Sequence, residues 1–183
     1  MRQVIYVLIF LLFFSAGCVM NENSKTNDIY LIPEGYEGYV YAFYNVKGAS
    51  EVQREGDYEV HTINDKGYFV TSTSNMDYGT VTDKYYYIDK SGKRTKINSS
   101  CIRGMGTGST ERYGGGNSEK KIEIHYTGIE VRTNGCSKEF TVSSNGMDSA
   151  DTELALKEIL LQYYNITSIL QYYFNTTILL NNT

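Results

Sequence analysis

The chain has 183 residues, 17 Lys and Arg against 21 Asp and Glu, and a formal charge of −4. That acidic balance argues against nucleic acid as a partner, since phosphate binding needs clustered basic side chains. One Pro and 17 Gly exclude collagen-like and Pro-rich classes, while 18 Tyr favour half-buried strand surfaces.

Met1-Arg2-Gln3 places one positive charge ahead of residues 4–14, an unbroken apolar run, and Ser15-Ala16-Gly17-Cys18 follows. A charged start, a short apolar stretch and small residues before a cleavage point make a secretory signal peptide over 1–17. The run is shorter than the roughly 20 residues of a membrane-spanning helix. An uncleaved anchor, since no charge lies between Arg2 and Glu22, and plain secretion are the alternatives. Ala-Gly-Cys resembles the lipobox of bacterial lipoproteins, although Ser15 stands where that motif usually has Leu. The resemblance implies cleavage before Cys18, a lipid such as palmitate on Cys18, and attachment to the extracytoplasmic face of the cell membrane. Residues 18–28 are polar and short-sided, as a tether would be.

From 29 to 146 the pattern is that of strands. Residues 38–46 and 84–89 are apolar on both faces, which predicts central strands. In 56–63, Tyr58, Val60 and Thr62 oppose Asp57, Glu59 and His61. The same alternation recurs over 120–126, 128–133 and 138–143, and predicts strands with one wet face. Asn64-Asp65-Lys66-Gly67, Asp89-Lys90-Ser91-Gly92 and Asn134-Gly135 read as turns, the last as a hairpin. The expectation is an antiparallel β-sandwich, transthyretin-like or immunoglobulin-like, with a C-terminal helix.

Three stretches carry a more specific resemblance: Ile32-Pro33-Glu34-Gly35-Tyr36-Glu37-Gly38-Tyr39-Val40, Arg54-Glu55-Gly56-Asp57-Tyr58-Glu59-Val60, and residues 77–87 from Asp77-Tyr78-Gly79 to Tyr85-Tyr86-Tyr87. With these, residues 29–143 resemble an uncharacterised family of Gram-positive lipoprotein domains. That resemblance implies location and fold and brings no catalytic residue.

Cys101 and Cys136 remain after Cys18 is assigned to lipid. Outside the membrane an even pair in a small β domain favours a disulfide. Two free thiols are the alternative, and a zinc site lacks the usual Cys and His spacing. Between them, 104–116 holds six glycines and reads as a mobile surface loop. It lacks the spacing of a phosphate-binding glycine motif.

No pattern predicts catalysis, a cofactor or a metal. His61 and His125 fall on the polar faces of predicted strands, hence towards solvent, and Asp77 and Asp83 read as a plain turn rather than a calcium loop. Tyrosines are the ligand-binding candidates, above all Tyr85, Tyr86 and Tyr87, which cannot all face one core. A helix is expected from Ser149, with Leu154, Leu156, Ile159, Leu160 and Tyr163 as its apolar stripe. From 159 to 183 there is no charge at all. The sequence thus supports a lipid-anchored interaction module meeting an envelope protein or ligand. A glycan- or cell-wall-binding module is the alternative, and an enzyme the second alternative.

Overall fold

The computed structural model describes residues 24–113, 121–143, 146 and 149–164. The expected signal peptide, Cys18, most of the expected tether and the uncharged residues beyond 164 lie outside these residues. Among the described residues nine strands form two sheets. They are β1 (Asp28–Pro33), β2 (Gly38–Tyr44), β3 (Gln53–Glu55), β4 (Tyr58–Thr62), β5 (Tyr68–Val70), β6 (Lys84–Ile88), β7 (Arg94–Lys96), β8 (Ile102–Tyr113) and β9 (Lys121–Val131). Two helices follow, α1 (Lys138–Val142) and α2 (Ser149–Tyr164). One sheet has the order β3-β4-β1-β6-β7, the other β5-β2-β9-β8.

The sandwich is mainly β, as its alternation predicts, but its sheets are mixed. β2 pairs antiparallel with β9, and so do β8 with β9, β3 with β4, and β6 with β7. β1 lies parallel to both β4 and β6, and β2 parallel to β5. The chain alternates between layers here: β1 is followed by β2 in the other sheet, and β4 by β5. β5 returns to the sheet of β2 after the β3-β4 hairpin and runs parallel to it, and β6 returns after β5 and runs parallel to β1 and so to β4. The turn at 64–67 therefore crosses between sheets, while 89–92 closes a hairpin within one.

Tyr30, Ile32, Val40, Ala42, Tyr44, Ile129 and Val131 fill the space between the sheets. Both apolar runs become interior strands. β2 sends Val40, Ala42 and Tyr44 into this core and Tyr41 and Phe43 to its other face, where α2 covers them. The buried stripe of α2 is Thr152, Ala155, Leu156, Ile159 and Leu160, which is helical spacing. Leu154, expected in that stripe, is exposed. Burying each large aliphatic side chain here contributes about 1.5–3 kcal/mol, so packing rather than propensity holds α2.

Two further expectations are corrected. The described part of the glycine-rich stretch is not a loop: 102–113 is the long edge strand β8, paired with β9 throughout except for a register shift between Gly104 and Gly106, while 114–116 lie outside the described residues. Gly108 lies opposite Tyr126, and a Cβ there would come within 2.6 Å of the tyrosine ring. The bare backbone makes room for that ring, and pairing overrides the low strand propensity of glycine. Residues 138–143 are not a strand. Ser137 Oγ accepts a hydrogen bond from Phe140 N (3.2 Å) as the N-cap of α1, and Glu139 sits in its first turn. Asn134-Gly135 accordingly leads from β9 into a helix, with Gly135 at φ +67°.

Candidate functional site

Two concave sites stand out. The first is a cleft of about 530 Å³ at the start of β2, between the four-stranded sheet and α2. Tyr36, Tyr39, Tyr41 and Tyr68 line it with Glu37, Lys66, Asp151 and Glu158. The turn from Asn64 builds its floor. Gly67 has φ +85°, and a Cβ there would fall 1.9 Å from the Tyr36 hydroxyl, which donates to Tyr39 O (2.6 Å). Glu158 from α2 accepts from Lys66 Nζ (2.7 Å) and Tyr68 Oη (2.8 Å). Lys66 and then Tyr68 hold the Glu158 carboxyl below its ordinary range, while burial and Glu158 push the Tyr68 phenol up to about 12. The result is a rigid aromatic wall beside fixed carboxylates. Such a wall can stack on apolar sugar faces while the carboxylates accept from hydroxyls.

The second is a pocket of about 210 Å³ near the start of β1, lined among others by Asp28, Tyr30, Asp77, Asp83 and Tyr85. Asp83 accepts from Thr26 Oγ1 and from Asp28 N (3.1 Å). Behind it lies a buried polar cluster. Asp28, Glu59 and His61 share the inner face of β1 and β4, with Asp28 paired to Glu59 and Tyr30 to His61 in register. His61 Nε2 lies 3.2 Å from Tyr44 Oη and 4.0 Å from both Asp28 Oδ1 and Glu59 Oε2. Its ring stacks on Phe69 at 5.0 Å and meets Tyr30 edge-on at 5.0 Å. Burial raises the Asp28 carboxyl to about 8, and Asp83, Glu59 and Asp77 add to the effect. His61 and Arg54 hold Glu59 below the usual range. Among the described residues, these three side chains are the group able to hold a metal ion.

A family model described as a family of unknown function, DUF6843, matches residues 24–140. The chain belongs to the DUF6843 family. A crystal structure of a Bacillus anthracis protein named "putative lipoprotein" is similar to this DUF6843 chain. The two are 38% identical, with a TM-score of 0.65, over 76% of this chain and 98% of that one. No curated protein matches.

In this DUF6843 domain the predicted site residues fall in different places. Strand alternation separates the tyrosine triplet. Tyr85 and Tyr87 turn towards the core, where Tyr85 stacks on Tyr30 at 5.3 Å and Tyr87 Oη donates to Tyr36 O (3.2 Å). Tyr86 packs on the opposite face with Ile29, Leu31 and Val60. They do not form one surface, and the tyrosines that converge on a cleft are 36, 39, 41 and 68. His61 is fully buried, against expectation, and His125 half-buried. The expectation of a plain turn missed that Asp77 and Asp83 line one pocket with Asp28. The alternation in 56–63 did put Glu59 and His61 on one face, but polarity alone assigned that face to solvent.

Cys101 and Cys136 lie at disulfide distance, with sulfurs 2.07 Å and Cα atoms 4.4 Å apart. The bridge ties the start of α1 to the start of β8. A closure of 35 residues stabilises by about 3–4 kcal/mol in the chain-entropy model.

Proposed function

We propose that this protein is a lipid-anchored, non-enzymatic module that works on the extracytoplasmic face of the cell membrane, held there by a lipid on Cys18. The observation that carries this reading is the likeness to the Bacillus anthracis "putative lipoprotein", which extends over nearly all of that chain. Ser15-Ala16-Gly17-Cys18 behind an apolar run supplies the matching chemistry here. Among the described residues no helix is long and apolar enough to cross a membrane. Two or more acyl chains on Cys18 would give stable attachment, at roughly 0.8 kcal/mol for each buried CH₂. Replacement Cys18→Ala is expected to abolish incorporation of a labelled fatty acid and to shift most of the protein out of the lipid-modified membrane form. Fatty-acid labelling with fractionation measures this; unchanged labelling would overturn the reading.

The tyrosine cleft supports a second reading, a glycan or cell-wall ligand. Its half-buried Tyr36 and Tyr39 lie beside fixed carboxylates, which suits a sugar better than an apolar ligand. A peptidoglycan pull-down should retain the wild type and lose about tenfold in affinity with Tyr39→Ala, the scale of one good aromatic contact. Tyr86→Ala, on the outer face of the other sheet, should bind as wild type. Absence of wild-type binding rejects the glycan reading and leaves the lipid anchor standing.

A further inference from the structure

We propose that Asp28, Glu59 and His61 form a binding site for one first-row divalent transition ion, of the Zn²⁺ or Mn²⁺ class, which cross-links β1 to β4. The three residues are 5%, 4% and 0% exposed. Asp28 Oδ1 and Glu59 Oε2 have no hydrogen-bond partner, and each lies 4.0 Å from His61 Nε2. Buried carboxyl oxygens left without a partner are costly, and a metal ion that displaces the Asp28 proton would meet both of them. Arg54 reaches Glu59 through Oε1 (2.5 Å) and so leaves Oε2 facing the centre. A dication there would neutralise both carboxylates.

The spacing fits. One ligand atom from each residue lies within 4.8 Å of the others. Metal–ligand bonds of about 2.0–2.2 Å place opposed ligand atoms up to about 4.4 Å apart, so the set closes with shifts of a few tenths of an ångström. All three side chains stand on one face of two hydrogen-bonded strands, which fixes their directions. An imidazole with two carboxylates selects a transition dication over Ca²⁺ or Mg²⁺, which prefer all-oxygen sites. Binding would replace the contact between Tyr44 Oη and His61 Nε2 by a bond from imidazole to metal. Asp28 also lines the 210 Å³ pocket with Asp77 and Asp83, an acidic approach for a cation.

The test uses the full, tag-free chain in detergent, stripped with chelator and dialysed against Zn²⁺ or Mn²⁺, with Ca²⁺ in parallel. Elemental analysis should find about one Zn²⁺ or Mn²⁺ per chain, and calorimetry a single site. Asp28→Asn and Glu59→Gln conserve shape and should each weaken binding at least tenfold. Both should keep the wild-type circular dichroism in chelator, which separates lost ligation from lost folding. The surface variant Asp89→Asn should bind one equivalent as before. A wild type without bound metal, binding unchanged in both ligand variants, or Ca²⁺ bound as tightly as Zn²⁺ would each overturn the proposal.

Discussion

Replacing Glu130 with Gln is expected to lower the free energy of unfolding by about 3–5 kcal/mol, the usual result of leaving one member of a buried ion pair alone. Arg103 on β8 is 3% exposed and Glu130 on β9 8% exposed, and the two face each other across the ladder. Arg103 Nη2 binds Glu130 Oε2 and Nη1 donates to Ser143 Oγ (2.8 Å), while Glu130 Oε1 accepts from Arg132 Nε (2.9 Å). Phe140 of α1 lies under both guanidinium groups, 4.2 Å from Arg132 and 5.3 Å from Arg103. Losing the carboxylate strands a charge with no water to solvate it and loosens the seat of α1. Urea unfolding at pH 7 checks the value, and a loss below about 1 kcal/mol would refute it. The double replacement Arg103→Met with Glu130→Met should recover most of the loss, because no unpaired charge then remains.

The same pair shows what the sequence made legible. The alternation over 120–133 predicts that Glu130 and Arg132 share a face opposite Ile129 and Val131, and they do. It assigns that face to water, and the fold instead lays α1 over it. Periodicity hides the helix, because Phe140 and Val142 are two apart, which suits a strand as well as a five-residue turn of helix. Ser137, three residues before Phe140, was the available signal: a hydroxyl that caps a helix start. β8 is hidden for the opposite reason. Its glycines have no side chains to alternate, and only the facing Tyr126 gives Gly108 a purpose. β2 is legible because its pattern has two apolar faces, and only a strand covered on both sides has use for them. Whether a polar face is wet depends on the partner layer, and no periodicity carries that.

Asp28 makes that difference measurable. In chelator, the wild type is expected to lose stability steadily as pH rises from about 5 to 8, and Asp28→Asn is expected to abolish most of the decline. The folded carboxyl keeps its proton up to about 8, against an ordinary value of 3.8. Between those values the folded chain binds one more proton than the unfolded chain, so stability falls as pH rises, by at most about 1.4 kcal/mol per pH unit for one group. The groups facing it leave the sign unchanged. Asp83 and Asp77 from the segment before β6 and Glu59 from β4 all disfavour ionisation, and the hydrogen bond from Tyr30 opposes them only in part. Glu59 acts in another window: its lowered carboxyl contributes stability that is present above the ordinary carboxylate range and is lost as pH falls through and below it. At pH 8 the Asn variant should therefore exceed the wild type by a few kcal/mol, while at pH 5 the gap should shrink towards that of a neutral isostere. Thermal or urea unfolding at both values reads this directly. A wild type equally stable at pH 5 and pH 8 would mean that Asp28 ionises in the fold without cost, and that the layer between the sheets is wetter than its geometry describes.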